Sequence, residues 1–294
     1  MKVISALLYY GMIIPLSLLP FPVLHRISDL LYYFIYYIVR YRKEVVFKNL
    51  TNSFPEKNHD EITSIAKTFF RHFCDLIIES IKLFTISREE VIARSRFVNP
   101  EILDSYFSRG QSIILVAGHY YNWEMFAQSC NLQMRHQAVG IYTPLSNKYF
   151  EKKFAGSRGR YGVILLPKED VKTFFENNRD QAMAIIFGAD QSPSPRTKRV
   201  YWTTFLNQDT AVMYGSEKYA KEYNYPVIFA RVHRIARSRF EISFQMLEEH
   251  PAASPYGAIT EKHTRLLEQQ IMEAPAYYLW THNRWKRKRE DYPE

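Results

Sequence analysis

From residue 3 to residue 24 the chain carries no Asp, Glu, Lys or Arg. The stretch is built mostly from Val, Ile, Leu, Met, Phe and Tyr, and roughly 20 such residues are enough to cross a bilayer as a helix. Pro15, Pro20 and Pro22 interrupt it, so a kinked or re-entrant anchor fits as well as a clean span. A second apolar stretch over 30–39 holds Tyr32, Tyr33, Tyr36 and Tyr37, whose amphipathic rings favour the membrane interface. Arg40, Arg42, Lys43 and Lys48 follow at once, and basic residues beside an apolar segment stay cytoplasmic. Pro20, Phe21 and Pro22 occupy the place where a small-residue cleavage site would sit, so the segment is expected to stay attached and not to leave as a signal peptide. Residues 1–43 thus read as a membrane anchor with an interfacial segment, and 44–294 as a domain facing the cytosol.

The remainder alternates between two periodicities. Over 60–84 the apolar residues Ile62, Ile65, Phe69, Phe73, Leu76, Ile77, Ile81 and Phe84 recur every three or four positions, which predicts an amphipathic helix. Residues 100–109 predict a short helix stopped by Gly110, and 112–117 form a continuous apolar run suited to a strand buried on both faces. Further strands are predicted at 138–142, 163–166, 182–187 and 227–233, with helical patterns between them. Such alternation implies an α/β fold with a mostly parallel central sheet flanked by helices. The segment 188–199, rich in Ser, Pro and basic residues, reads as a long loop.

Several site classes can be set aside. Two cysteines, Cys74 and Cys130, make neither a disulfide framework nor a Cys-rich metal site. The sequence contains no Gly-x-Gly-x-x-Gly, no P-loop, no His-Glu-x-x-His and no Gly-x-Ser-x-Gly. A net charge of +9 points to an anionic partner, either nucleic acid or phospholipid. The apolar N-terminus favours phospholipid, and no groove-reading motif supports nucleic acid.

What remains is Gly118-His119-Tyr120-Tyr121-Asn122-Trp123-Glu124, directly after the 112–117 strand. On one continuous helix His119 and Glu124 would stand about 140° apart. A turn followed by a helix capped at Asn122 can bring them together. A carboxylate beside an imidazole fixes its tautomer and lets it take a proton from a hydroxyl nucleophile. Taken alone, the pair reads as a surface or helix-end contact rather than a dyad, and its place after a buried strand favours the site reading. Asp190, after the 182–187 strand, reads as a site carboxylate or as a turn residue before Pro193. Arg158, near Lys152, Lys153 and Arg160, reads as a site cation or a solvated one. The basic group Arg284, Lys286, Arg287, Lys288 and Arg289, next to Trp280 and Trp285, is expected to form an interfacial patch for anionic headgroups or an acidic protein.

The segment from His119 to Glu124 resembles the His-x-x-x-x-Asp/Glu motif of glycerolipid acyltransferases. In its Glu form it is similar to the lipid A secondary (lauroyl and myristoyl) acyltransferases of Gram-negative bacteria. Asn49-Leu50, Phe54-Pro55, Phe70-Arg71-His72, Tyr142 with Pro144, Arg158 to Gly162, Leu165-Leu166-Pro167, Asp190-Gln191, Pro226-Val227 and the segment from Tyr278 to Lys286 continue the resemblance in order. It implies a glycerolipid-acyltransferase-like fold. It also implies transfer of a fatty acyl chain from acyl-carrier protein, or acyl-CoA, to a hydroxyl of a lipid A precursor at the cytoplasmic face of the inner membrane, among its phospholipids. His119 would be the base and Glu124 its charge partner, with Arg158 and Asp190 binding substrate, no metal and no cofactor beyond the acyl donor. The Ser192-Pro193-Ser194-Pro195 continuation departs from the family pattern, which leaves another glycolipid, an aminolipid or a pigment open as acceptor. A non-catalytic lipid-binding protein on the same fold is the alternative of a different class.

Overall fold

The computed structural model describes residues 2–194, 197 and 199–291. The apolar N-terminus folds as short helical pieces. α1 (Lys2–Leu8) passes through a π-helical turn (Tyr9–Ile13) into α2 (Ile14–Leu18). Pro15 has no N–H to give to the Gly11 carbonyl, a physical reason for the ladder to slip just before it. Pro20 disfavours the helical region for Leu19, which turns extended with ψ 147°, and the run stops. α3 (Phe21–Tyr33) then begins with Pro22 in its first turn and ends in a second π turn (Phe34–Val39), closed by Arg40 at φ 53°. Among the described residues no helix is long and apolar enough to cross a membrane. The expected membrane-anchoring helix is therefore corrected to two broken helical runs, and the prolines are the cause.

After α4 (Lys43–Ser53) comes α5 (His59–Lys82), whose first turn is closed by a capping box between Asn58 and Glu61. Its apolar stripe, including Ile62, Ala66, Phe69 and Phe70, is buried. α3 is fastened against it: Arg237 pairs with Asp29 at 2.7 Å and Asp75 at 2.6 Å, and Ser28 donates to Asp75 at 2.7 Å. Lys82 and Thr85 donate to the Leu19 and Ser17 carbonyls, which ties the end of α2 to the end of α5. Phe21, Tyr32 and Tyr36 thereby join the same hydrophobic core as the rest of the chain. The outer faces are left bare. Of the 21 large hydrophobic side chains that are exposed among the described residues, 15 lie within the first 41 positions, from Val3 to Tyr41.

The body follows as α6 (Arg88–Arg94), β1 (Ser95–Phe97), α7 (Glu101–Phe107), β2 (Ile113–Ala117), α8 (Trp123–Gln133), β3 (Gln137–Tyr142), α9 (Lys148–Arg158), β4 (Ile164–Pro167), α10 (Val171–Asn177) and β5 (Met183–Gly188). It continues with β6 (Val200–Phe205), β7 (Gln208–Met213), α11 (Gly215–Tyr223), β8 (Val227–Ala236), β9 (Arg239–Glu248) and α12 (Ala258–Glu273). Seven strands form one sheet in the order β1-β9-β8-β2-β5-β3-β4. Every pairing is parallel except β8 with β9, so the predicted mostly parallel sheet with flanking helices is present. β2 is central, and all five of its residues are buried, as a doubly covered strand requires. β1 and β9 were not legible as strands. The segment read as a loop leads into a separate hairpin, β6–β7, and its Pro195, Arg196 and Lys198 lie outside the described residues.

One register matters most. β2 and β5 run side by side with Ala117 opposite Gly188, so the positions two residues beyond each strand are brought level. Those positions are His119 and Asp190. Open α/β sheets bind ligands beyond the carboxyl ends of their strands, and this pair stands there.

Candidate active site

His119 lies in the turn between β2 and α8. Asn122 caps α8 as the sequence predicts, its side chain accepting the Met125 N–H at 2.8 Å, while Tyr121 takes a left-handed conformation at φ 52° to make the corner. The Asn122 amide also donates to the buried Glu79 carboxyl at 2.5 Å. Behind the turn passes the segment after α12. Tyr121 N–H donates to the Tyr277 carbonyl at 3.0 Å, and Leu279 N–H donates to the His119 carbonyl at 3.2 Å. Asn49 holds that segment from the far side by donating to the carbonyls of Trp280 and His282.

Asp190 grips His119 twice. Its Oδ1 lies 2.7 Å from the ring Nδ1, and its Oδ2 accepts the His119 backbone N–H at 3.0 Å. The Asp190 side chain is buried, while the His119 side chain keeps 21% of its surface, enough to leave the ring edge open to a reactant. Burial alone would raise the Asp190 carboxyl, but the charge and hydrogen bonds of His119, with help from Arg284, bring it down to about 2. Burial alone would lower the His119 imidazole, but Asp190 outweighs it, Glu124 adds to the rise and Arg158 opposes it, and the net direction is upward. An ionised Asp190 holds the proton on Nδ1 and leaves Nε2 of the neutral ring as an acceptor. Gln191 stands there, with its side-chain amide nitrogen 3.2 Å from Nε2.

The expected pairing of His119 with Glu124 is corrected: the carboxylate hydrogen-bonded to the ring is Asp190, brought level with it by the β2–β5 register, and Glu124 makes no hydrogen bond to His119. Glu124, on the first turn of α8, faces Arg158 at the end of α9 in a bidentate pair, Nε to Oε2 at 2.7 Å and Nη2 to Oε1 at 2.5 Å. It acts on His119 through charge. Gln128 of α8 donates to the Ser157 carbonyl at 2.6 Å, which locks the two helices where Arg158 emerges. All four residues singled out in the sequence gather here as two ion pairs, His119 with Asp190 and Arg158 with Glu124.

The ring has little room on its other sides. Trp123 meets it edge-on, with centroids 4.9 Å apart. Gly188 lies so close that an added Cβ would stand 3.0 Å from Cε1, tighter than ordinary packing allows. Tyr120 and Tyr121 are buried and pack against Tyr277 and Tyr278.

Sequence reasoning missed two contributors and misplaced a third. His282 accepts the Ser192 N–H on Nε2 at 3.0 Å, and burial with nearby cations lowers its imidazole to about 4, so it stays neutral. Gln191 was passed over because its neighbour carries the charge. Arg284, expected on an interfacial patch, is buried and donates to the Ala211 carbonyl at 2.8 Å. Trp280 is likewise fully buried, and Trp285 donates to Thr210, so both belong to packing around the site. Arg289 pairs with Asp209 on the surface.

Against this geometry the resemblances fall into line. The family model for bacterial lipid A biosynthesis acyltransferases matches residues 2–287. The chain is similar to the lipid A biosynthesis lauroyltransferase of Escherichia coli K12, with 23% identity over 281 residues that cover 94% of this chain and 89% of that one. It is also similar to a lipid A biosynthesis acyltransferase of Haemophilus influenzae, with 23% identity over 85% of this chain and 79% of that one. With a match that runs almost end to end, the chain belongs to the bacterial lipid A biosynthesis acyltransferase family and is an acyltransferase.

Proposed function

We propose that the enzyme moves a fatty acyl chain from a carrier thioester, on acyl-carrier protein or coenzyme A, to a hydroxyl of a lipid A precursor. The observation that carries this reading is the His119 ring, fixed by Asp190 through Nδ1, which leaves Nε2 as its acceptor nitrogen. The acceptor hydroxyl gives its proton to Nε2 as its oxygen attacks the thioester carbonyl. The tetrahedral intermediate collapses with loss of the carbon–sulfur bond, and the thiolate recovers the proton from Nε2. Asp190 stabilises the imidazolium in between, as an ionised carboxylate held near about 2 is able to do. The Glu124–Arg158 pair supplies fixed charge beside the reacting centre, and the guanidinium edge not turned to Glu124 suits a phosphorylated glycolipid.

The same reading puts the enzyme on the cytoplasmic face of the inner membrane. The bare apolar faces of α1 to α3, with tyrosines between them and Arg40, Arg42 and Lys43 beside them, suit a helix pair lying in the headgroup boundary. Both substrates of such a reaction carry long apolar chains, so a body seated on the bilayer can take them without exposing those chains to water. The test is to incubate purified protein and His119→Ala with a panel of acyl-carrier-protein and coenzyme A thioesters plus a lipid A precursor, reading products by mass spectrometry. A mass gain of one acyl chain with the native protein alone is the expected result. Lipid binding that is indifferent to His119, with no product from any donor, would favour a binding protein instead.

A further inference from the structure

We propose that Gln191 is a catalytic group of this site: its carboxamide caps the base nitrogen of His119 in the free enzyme and, once the acceptor hydroxyl displaces it, donates to the thioester oxygen. The inference rests on the acyl-transfer reading above. Four features of the geometry lead to it. Asp190 occupies Nδ1, so Nε2 is the ring nitrogen available to a substrate, and the Gln191 amide lies 3.2 Å from it. A hydroxyl that gives its proton to Nε2 must take that place, so the amide has to move. The backbone on either side is pinned: the Asp190 side chain is held by His119, and the Ser192 N–H is held by His282. Gln191 can therefore yield by side-chain rotation alone, with its amide still beside the reacting atoms.

The fourth feature is a shortage of other donors. A thioester carbonyl that becomes an oxyanion needs N–H groups aimed at it. Three N–H groups of the turn are already used: His119 donates to Asp190, Tyr120 to Gly118 and Tyr121 to Tyr277. Ser192 donates to His282. The Gln191 amide, freed by the arriving hydroxyl, supplies a donor at the moment the charge forms. With its amide nitrogen toward the ring, the carboxamide gives an N–H to neutral Nε2 and so favours the neutral ring.

The test combines steady-state kinetics of Gln191→Ala and Gln191→Met with an NMR titration of His119 in the free proteins. The charged and titratable groups facing the ring are Asp190, Glu124, Arg158 and His282, and neither variant alters them. Both variants should lose about 100-fold in kcat, the effect of removing one oxyanion donor. The acceptor KM should stay level or fall, since nothing has to be displaced. Because the cap favours neutral His119, its removal should move the His119 titration in the free enzyme to higher pH and the acid limb of kcat/KM with it. A kcat within threefold of the native enzyme would overturn the oxyanion role. An unchanged free-enzyme titration would overturn the cap, even if no acyl acceptor had been found. Should Gln191→Ala fold poorly, Gln191→Met keeps the length of the side chain without a donor or a charge and gives the same two readings.

Discussion

The carboxyl end of the sheet and the N-terminal helical layer are held together by opposite means. At the sheet end, polar side chains are paired across elements: Asp190 with His119, Glu124 with Arg158, Asn122 with Glu79. In the helical layer, apolar groups are exposed and the polar ones act as fasteners underneath, Arg237 to Asp29 and Asp75, Lys82 to Leu19. The first arrangement aligns atoms to tenths of an ångström, as proton transfer needs. The second presents a surface that water does not satisfy while keeping its orientation to the body fixed. The two meet at Glu79, whose carboxyl accepts from Ser238 at 2.5 Å, and Ser238 in turn lies 2.7 Å from His25 of α3. Burial pushes Glu79 up to about 7 against the pull of its Ser238 and Asn122 hydrogen bonds. The sheet end owes its geometry to strand register, whereas the helical layer makes its polar contacts underneath and leaves its outer apolar faces bare.

The comparison can be broken from either side, and the largest effect belongs to the sheet end. His119→Ala should lower acyl transfer by roughly 10²–10⁴-fold, the range for a lost general base, and should also lower the melting temperature, because buried Asp190 loses its side-chain partner. Next comes Arg158→Ala, which leaves Glu124 half-buried without its cation; a loss near 100-fold in kcat/KM is expected, and measurement of KM for the lipid acceptor will show how much of it is binding. On the helical side, Phe34→Glu should weaken sedimentation with anionic vesicles about tenfold and leave transfer to a detergent-dispersed acceptor intact. Gly188→Ala crowds the His119 ring, and a several-fold fall in kcat should accompany a shifted His119 signal in the NMR spectrum. The smallest effect is that of Arg237→Ala. Its pairs are partly exposed, so a loss of about 1 kcal/mol, seen as a fall of a few degrees in melting temperature, is expected with little change in kcat.

How much of this could be read from the chain differs between the two regions for physical reasons. The apolar run before Gly118 gave the buried strand, and Asn122 gave the cap, because both signals are local. The partner of His119 was another matter. Glu124 is five residues away and Asp190 is 71, yet Ala117 pairs with Gly188 across the sheet, and that long-range register chooses Asp190. Arg158 reaches Glu124 from a helix of its own, which no spacing along the chain reveals. Arg284 looked like one more cation of a surface run, but its burial depends on the β6–β7 hairpin, an element that the irregular Ser- and Pro-containing approach concealed. At the N-terminus hydropathy located the exposed apolar residues correctly. The length of the run misled, since Pro15 and Pro20 divide it before any helix becomes long enough to span.

In the proposed mechanism Asp190 holds His119 as the base. The pH dependence of kcat/KM for transfer to the lipid acceptor, measured for the native enzyme and Asp190→Asn, tests it most directly. A base must be neutral to act, and the imidazole is raised above its usual 6.5, so native activity should climb with pH through an acid limb above 6.5. Without the carboxylate the imidazolium loses its stabiliser. The limb should then move to lower pH while the plateau falls by roughly 100-fold or more, as for a triad aspartate replaced by its amide. A plateau near the native value with the limb unmoved would contradict the account.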